Sequence, residues 1–207
     1  MTTEALRLYY YPGVCSLAPH IALREAGATF ELARVDLRTR KTEAGEDFAA
    51  VNPKGYVPAL RLPDGEVLTE TAVLLQYVAD TWPEAGLAPL HGGLERVRFD
   101  ERLIFIATEL HKGFAPFTIM PNAGDEAKRW ASQRLTARVE LLARDLGERP
   151  FFHGDAFTVL DAYAFFALRV YPKLFAAELP ANLAAFQARV AARPAVVAAF
   201  AAEGLKA

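Results

Sequence analysis

The chain has 207 residues, of which 53% are hydrophobic and 23% charged, and its formal net charge at pH 7 is only -2. This composition is typical of a globular protein in water, and the near balance of charges argues against nucleic acid as a partner. The length allows one large domain or two small ones, and either can bury about 70% of the unfolded surface.

A single cysteine, Cys15, limits the redox chemistry of the chain. An intramolecular disulfide is impossible, so we expect a reducing compartment and a cytoplasmic location. The segment from Met1 to Leu8 carries Glu4 and Arg7 and has no long apolar run, so we expect no secretory signal there. No stretch reaches the ~18 uncharged apolar residues of a membrane span, so no membrane association is predicted. We also predict no metal site.

The first part of the chain alternates β-rich runs with helical patterns. Leu6–Tyr11 is a predicted strand, which Pro12-Gly13 ends. A helix is predicted from Ser16, as the N-cap, to about Ala26. Phe30–Leu37 is a second predicted strand. Strand, helix and strand form a βαβ unit, in which the two strands should be parallel.

The next segment predicts two more strands and a helix. A polar stretch over residues 38–47 is followed by the loop Val51–Gly55. Val57–Leu62 and Glu66–Thr69 are predicted strands, joined by a hairpin at residues 63–65. A helix then runs from residues 69–71 to about Thr81. The expected order is β-α-β, a loop or short helix, and then β-β-α.

A change of pattern at residues 83–93, which contain two prolines and three glycines, predicts a linker. Beyond it only helices are expected, over residues 94–114, 125–146, 158–171, 181–192 and 195–202. We therefore predict an α/β domain over residues 1–82, the linker 83–93, and an all-helical domain over residues 94–207.

Cys15 and Tyr10 are candidate catalytic residues. Cys15 lies between the Pro-Gly turn and the start of a helix, where backbone N–H groups and the helix dipole favour a thiolate. A buried thiol that only fills space is the alternative. Tyr10 ends the first strand, where its phenol either donates to a thiolate across the turn or packs in the core.

Two further segments suit an extended peptide ligand. A cis bond between Val57 and Pro58 would turn the Val57 backbone outward, so that a peptide could pair with it. Glu70 and Thr71 open a helix, whose hydroxyl and N–H groups suit a carboxylate, while Glu70 suits an ammonium. A plain helix cap is the alternative for this segment.

Near the end of the first C-terminal helix, His111 and Lys112 are adjacent polar residues that a solvated helix end explains. Farther along, Thr158-Val-Leu-Asp161 has the form of a capping box, with Asp in place of the usual Glu. We interpret the capping box as structural.

Taken together, these motifs resemble the glutathione transferase superfamily, and the first of them resembles its bacterial beta class. The resemblance covers nearly the whole chain. The motifs that carry it are Tyr10-Tyr-Pro-Gly-Val-Cys-Ser-Leu-Ala-Pro-His-Ile-Ala-Leu-Arg-Glu-Ala-Gly27, Val35-Asp-Leu-Arg-Thr39, Val51-Asn-Pro-Lys-Gly-Tyr-Val-Pro-Ala-Leu60, Leu68-Thr-Glu-Thr71, Ala107-Thr-Glu-Leu-His-Lys-Gly-Phe114 and Phe157-Thr-Val-Leu-Asp-Ala-Tyr163.

The resemblance implies a thioredoxin-like N-terminal domain, a helical second domain and a homodimer. It implies that Cys15 approaches the glutathione sulfur and can form a mixed disulfide with it, and that Tyr10 lies near the same sulfur. Pro58 would match the family's cis proline, and Val57 before it would pair with the cysteinyl backbone. Glu70 and Thr71 would hold the γ-glutamyl head.

For the helical domain, the resemblance implies that His111 and Lys112 face the active site. It also implies that Glu109 reaches across the dimer to the neighbouring glutathione. Two positions depart from the family pattern: Thr71 replaces Ser or Gly but keeps a hydroxyl, and Ile104 replaces an asparagine and cannot hydrogen-bond. The cross-subunit contact is therefore expected to be weaker.

The expected activity is conjugation of glutathione, as co-substrate, to small apolar electrophiles, which is a detoxification function. Thiol-disulfide exchange with Cys15 as nucleophile is the alternative enzyme mechanism. A third hypothesis is that the helical domain binds apolar ligands without turnover.

Overall fold

The computed structural model describes residues 5–206. The first four residues and Ala207, which the predicted domains include, lie outside the described residues. Contacts between residues divide the described chain into two compact units, one formed by residues 5–88 and 192–206 and the other by residues 89–191. The division after residue 88 falls inside the predicted linker. Residues 192–206 belong with the first unit, whereas we placed them in the helical domain; the domain assignment itself stays a prediction.

The first unit contains one five-stranded sheet in the order β3-β2-β1-β4-β5. Its strands are β1 (Arg7–Tyr10), β2 (Glu31–Asp36), β3 (Lys41–Thr42), β4 (Ala59–Arg61) and β5 (Val67–Thr69). β1 and β2 are parallel, as predicted, because a helix connects them, whereas β1 and β4, β4 and β5, and β2 and β3 pair in antiparallel fashion.

A short helix, α2 (Phe48–Val51), follows the polar stretch, in agreement with the predicted loop or short helix, and the polar stretch over residues 38–47 itself contains β3. We predicted no strand there, because two residues with polar side chains carry no readable alternation. The Asp47 side chain accepts a hydrogen bond from the Ala49 N–H at 3.0 Å and so caps α2. Phe48 is fully buried against Tyr9, which fixes this segment to the sheet.

Helices α1 (Leu17–Glu25), α3 (Thr71–Thr81) and α9 (Pro194–Glu203) belong to the first unit. α1 packs against both α3 and α9. Leu17, Ile21 and Leu23 of α1 are fully buried, which is why this helix can lie between two others. Its first turn therefore has a fixed position relative to the end of β1.

The second unit is helical. Its elements are α4 (Leu94–Phe105), a π-helical turn (Ile106–His111), a 3-10 turn (Lys112–Phe114), α5 (Ala115–Thr118), α6 (Asp125–Leu146), α7 (Val159–Phe175) and α8 (Ala181–Ala191). Between residues 94 and 206 the structure contains no strand, only the isolated bridge from Phe151 to Gly154. The prediction that only helices follow the linker is confirmed for the described residues.

The predicted single helix over residues 94–114 is wrong in detail, because a π-helical turn and a 3-10 turn follow α4. Apolar spacing could not reveal this, since segments of six and three residues are too short to show a change of helical period. Gly113 lies where the backbone approaches α6: a Cβ atom there would be 2.8 Å from Leu135 Cδ2. α7 also continues through Pro172, beyond its predicted end.

No single helix within residues 5–206 has the length and apolar character needed to cross a membrane, although α8 and α9 satisfy that test as a pair.

Candidate active site

A tight turn between β1 and α1 carries the only cysteine. Gly13 adopts φ +72°, a left-handed conformation that suits glycine. The Ser16 hydroxyl accepts a hydrogen bond from the Tyr11 N–H (3.2 Å) and donates one to the Tyr11 carbonyl (3.0 Å). Ser16 precedes α1 as predicted, but its side chain makes no capping hydrogen bond, because the hydroxyl closes the turn instead.

Cys15 and Val57 are brought together at this turn. The Cys15 Sγ donates a hydrogen bond to the Val57 carbonyl at 3.3 Å. The thiol is half-buried rather than sealed in the core, which weakens the interpretation of Cys15 as a space-filling residue. Because the sulfur is the donor, this contact describes a thiol rather than a thiolate.

The turn is also tied to the last helix of the first unit through Glu203. The Gly13 N–H donates to Glu203 Oε2 at 2.8 Å, and His20 Nδ1 lies 2.8 Å from Glu203 Oε1. Arg24 Nε donates to His20 Nε2 at 2.9 Å, which places the His20 proton on Nδ1. The side chains of His20 and Glu203 are fully buried. This hydrogen-bond network connects the Cys15 turn to α1 and α9.

A second loop carries the proline that follows Val57. The Val57–Pro58 peptide bond is cis, as predicted. Asn52 is almost fully buried and braces the loop: its Nδ2 donates to the Tyr56 carbonyl at 2.7 Å, and its Oδ1 accepts from the Lys54 N–H at 3.1 Å. The backbone of Val57 is thereby held in place beside Cys15.

Glu70 and Thr71 begin α3, as predicted. Glu70 has φ +72°, which is rare for a residue with a side chain, and Thr71 is buried. The Glu70 carboxylate accepts hydrogen bonds at Oε1 from Lys54 Nζ (3.2 Å) and Tyr56 Oη (2.6 Å). The bond to Glu70 raises the pKa of Tyr56 to about 12. We expected Glu70 to face the ammonium of a ligand; the ammonium of Lys54 contacts it here, and the ligand contact stays a prediction.

Tyr10 is buried at the end of β1, and its ring centroid lies 6.2 Å from that of His20. Burial, which disfavours the charged phenolate, raises the pKa of Tyr10 above its ordinary value. The phenol therefore stays protonated and can act as a hydrogen-bond donor.

In the helical unit, the π-helical turn holds Glu109 and His111. Glu109 Oε2 accepts from Arg134 Nη2 (2.5 Å) and Arg138 Nε (2.8 Å), both on α6. The hydrogen bond from Arg138, followed by that from Arg134, lowers the pKa of Glu109. This carboxylate is thus paired within its own chain. Its reach across a dimer stays a prediction.

His111 contacts α7 rather than forming a solvated helix end. Its Nδ1 lies 2.8 Å from Tyr163 Oη, and its ring packs edge-on against Phe166 with centroids 5.2 Å apart. The neighbouring Lys112 is exposed. The active-site roles of both residues stay predictions.

Comparison with known proteins identifies the family. Residues 14–81 match the family model for the glutathione S-transferase N-terminal domain. The chain is 43% identical over 202 residues to glutathione S-transferase GstA of Escherichia coli O157:H7, covering 97% of this chain and 100% of that protein. The chain belongs to the glutathione S-transferase family. This confirms the family resemblance and the thioredoxin-like fold of the N-terminal domain.

Two solved structures extend the comparison. A sphingomonad glutathione S-transferase in complex with glutathione is 46% identical, with a TM-score of 0.89, and the alignment covers 97% of this chain and 100% of that one. The bacterial beta class glutathione S-transferase of Sphingomonas chungbukensis has the same identity, TM-score and coverage. The predicted resemblance to the beta class is therefore confirmed as well.

Several residues that shape the site of this glutathione S-transferase were missed from the sequence. Glu203 lies 183 residues from His20, and no local pattern links them. Lys54 and Tyr56 were assigned only to a turn, although the turn sequence placed them next to Val57. Asn52 was likewise assigned only to a loop. The neighbouring proline and glycine were the only sequence signal that hydrogen bonds hold this loop in a fixed conformation.

Proposed function

We propose that this glutathione S-transferase binds glutathione at the Cys15 turn and joins the glutathione sulfur to small electrophiles. The observation that carries the proposal is the grouping of three anchors within the first unit. These are the thiol of Cys15, the Val57 backbone 3.3 Å from it, and the start of α3 with Glu70 and Thr71. They suit, in turn, the thiol, the peptide backbone and the zwitterionic head of one extended tripeptide.

The head of glutathione would bind at the start of α3. Thr71 is the first residue of this eleven-residue helix, where backbone N–H groups and the helix dipole favour a carboxylate. The Glu70 carboxylate suits the ammonium of the same head through charge-assisted hydrogen bonds. The Val57 N–H and carbonyl would pair with the cysteinyl residue as a strand does, since a carbonyl oxygen accepts two hydrogen bonds.

The reaction would proceed from the glutathione thiolate. The thiol loses its proton to solvent, its sulfur forms a bond to the electrophilic carbon, and the leaving group departs with its electron pair. Ionising a thiol with a pKa near 8.5 costs about 2 kcal/mol at pH 7, and each unit by which the site lowers the pKa recovers about 1.4 kcal/mol. The protonated Tyr10 phenol and the start of α1 are the proposed donors toward this sulfur, and the Cys15 sulfur is proposed to lie beside it.

The proposal is tested by binding and turnover. We expect isothermal titration to detect glutathione binding, and mass spectrometry to detect the conjugate formed with an aryl halide. Glu70→Ala should raise the KM for glutathione more than tenfold, because a charge-assisted bond contributes roughly 1.5–3 kcal/mol. Glu66→Ala, which removes an exposed carboxylate from the β4–β5 hairpin, is the control. An unchanged KM in Glu70→Ala would place the ligand elsewhere.

Thiol-disulfide exchange is a second candidate, favoured by the half-buried position of Cys15 on its turn. Here the Cys15 thiolate attacks a glutathione mixed disulfide, forms a new disulfide with glutathione and releases the other thiol. A second glutathione thiolate then releases Cys15 and leaves as oxidised glutathione.

Binding of apolar ligands without turnover is a third candidate. A cavity of about 310 Å³ in the helical unit is lined by Pro116, Phe117, Thr118, Met120, Pro121 and Lys128. Its mixture of apolar groups and one cation suits an amphipathic anion. Ligand binding without conjugate formation would support the hypothesis of non-catalytic binding over that of catalysis.

We also infer a homodimer, a cytoplasmic location and a detoxification role. α4 exposes three large apolar side chains, Leu94, Val97 and Ile104, whose relative exposures are 70%, 61% and 47%, and exposed apolar side chains at helical spacing suit a subunit interface. The lone cysteine fits a reducing compartment. Sedimentation of Val97→Glu, compared with the unaltered protein, tests the dimer.

A further inference from the structure

The Glu70 carboxylate is held by two side chains of the neighbouring loop. Tyr56 Oη donates to Glu70 Oε1 at 2.6 Å, and Lys54 Nζ donates to the same oxygen at 3.2 Å. Lys54 Nζ also donates to Thr69 Oγ1 at 2.8 Å, so one ammonium contacts two consecutive residues at the end of β5 and the start of α3. We call Lys54, Tyr56 and Glu70 the carboxylate clamp.

The backbone at Glu70 requires such support. Its φ of +72° lies in a region that residues with side chains rarely adopt. Conformations of this kind persist only where the surrounding structure fixes them, and they are concentrated at functional sites. In addition to this backbone constraint, the two hydrogen bonds fix the side chain of Glu70, so the carboxylate has a defined orientation.

The loop that supplies Tyr56 and Lys54 is itself rigidly braced. The side chain of Asn52 bonds to the backbone of both residues, accepting from the Lys54 N–H and donating to the Tyr56 carbonyl. Gly55, between them, has φ +73°. The next residue is Val57, so one braced loop presents both the backbone anchor and the clamp.

We propose that Tyr56 and Lys54 are positioning residues that set the affinity of the site for the ammonium of a γ-glutamyl head, by orienting the Glu70 carboxylate toward it. The inference rests on the proposed glutathione site. A carboxylate accepts about four hydrogen bonds, so the bonds from Tyr56 and Lys54 do not by themselves exhaust its capacity.

The two residues act through different electrostatics. Tyr56 stays a neutral donor well above physiological pH, since Glu70 raises its pKa to about 12, and its contribution is therefore that of an uncharged hydrogen-bond donor. Lys54 carries a positive charge on a side chain that is about half exposed (48%), so its contribution is screened by salt. The effect of Tyr56 should therefore be the larger of the two in high salt.

A double-mutant cycle with purified protein tests the clamp. We would measure the glutathione Kd by isothermal titration, and KM and kcat with an aryl halide, for Tyr56→Phe, Glu70→Ala and the double variant. Tyr56→Phe should raise the Kd about fivefold or more at unchanged kcat, because it removes a bond to a charged acceptor. In the Glu70→Ala background, which has no acceptor at this position, the same change should alter the Kd less than twofold.

Two further variants sharpen the test. Tyr77→Phe removes a phenol hydroxyl from α3 and should leave the Kd unchanged. Lys54→Met should weaken binding at low salt, and this effect should shrink at high salt, whereas the Tyr56→Phe effect should persist. Thermal melting of each variant establishes that it is folded.

The outcomes are distinguishable. Normal binding by the unaltered protein with a Tyr56→Phe Kd within twofold of it would overturn the clamp alone. The clamp would also be overturned if Tyr56→Phe raised the glutathione Kd equally with and without Glu70. Tyr56 would then act through the general structure of the loop rather than through the Glu70 carboxylate. Absence of glutathione binding by the unaltered protein would overturn the proposed function, and the clamp with it.

Discussion

Two buried carboxylates hold turns in the two units of the chain, and they differ in how far away their partners lie. Asp161 bonds to Thr158 and Phe152, three and nine residues earlier. Glu203 bonds to His20 and Gly13, 183 and 190 residues earlier. Asp161 fixes the start of a helix, whereas Glu203 fixes the turn that carries Cys15. Both carboxylates do so by accepting hydrogen bonds from N–H groups, so the distance along the chain between the partners does not decide the structural role.

The largest loss of stability is expected for Asp161→Ala. Asp161 accepts three hydrogen bonds, from the Phe152 N–H and from the N–H and hydroxyl of Thr158, each at 2.8 Å. Removing it leaves these buried donors without their acceptor, which should lower the free energy of unfolding by about 2–4 kcal/mol. Urea denaturation measures the loss. Asp161→Asn, which keeps one acceptor oxygen, should lose less, and a loss below about 1 kcal/mol in the alanine variant would contradict the role.

Asp161 should also give the protein a pH dependence of stability. Burial, which outweighs the hydrogen bonds from Phe152 and Thr158, raises the pKa of Asp161 from 3.8 to about 6. Between pH 3.8 and about 6 the Asp161 carboxyl is protonated in the folded state and ionised in the unfolded state. Protonation of Asp161 therefore stabilises the folded state at low pH, and this stabilisation is lost as pH rises through about 6. The difference amounts to at most about 3 kcal/mol. Denaturation of the unaltered protein and Asp161→Asn at pH 4.5 and 7 should isolate it.

The contrast between these carboxylates also explains what the sequence could predict. The capping box at Thr158 was predicted because both partners fall in one four-residue pattern. The βαβ unit and the start of α3 were predicted for the same reason, since each has a local signature, whereas the cis proline was implied only by the family resemblance. Cys15 and Glu70 were therefore found as candidate site residues.

What the sequence could not predict depends on long-range packing. The bonds from Glu109 to α6 and from Glu203 to the Cys15 turn join residues with no shared pattern. The short strand β3 has too few residues for an alternation to be read. The π-helical turn at residues 106–111 also escaped, because hydrogen-bond register, rather than apolar spacing, distinguishes it from an α-helix.

A smaller loss is expected for Glu203→Gln, which keeps the shape of the side chain. One amide group replaces a carboxylate oxygen, so either Gly13 or His20 faces an N–H donor instead of an acceptor. We expect the free energy of unfolding to fall by about 1–2 kcal/mol and the glutathione Kd to rise, because the Cys15 turn loses its anchor. Glu148→Gln, on an exposed loop, is the matched control. Loss of stability without any change in Kd would show that the turn does not depend on this anchor.

The smallest change in stability is expected for Cys15→Ala, because the thiol is half-buried and its hydrogen bond to the Val57 carbonyl is a weak one. We expect the free energy of unfolding to change by less than about 1 kcal/mol. The same variant separates the two enzyme mechanisms. If glutathione is the nucleophile, Cys15 is an accessory, and conjugation should continue at a rate within about tenfold of the unaltered protein. The mixed disulfide with glutathione, visible by mass spectrometry as an added mass, should be lost.

If Cys15 is the nucleophile instead, the variant should lose disulfide reductase activity completely, since the chain has no other cysteine. In the unaltered protein that activity should depend on glutathione concentration, because free glutathione must release the intermediate. We expect both activities in the unaltered protein, with conjugation retained and reduction lost in Cys15→Ala. Loss of both activities in a variant that still folds and binds glutathione would reverse this ranking, because only a direct role of the Cys15 sulfur in both reactions could produce it.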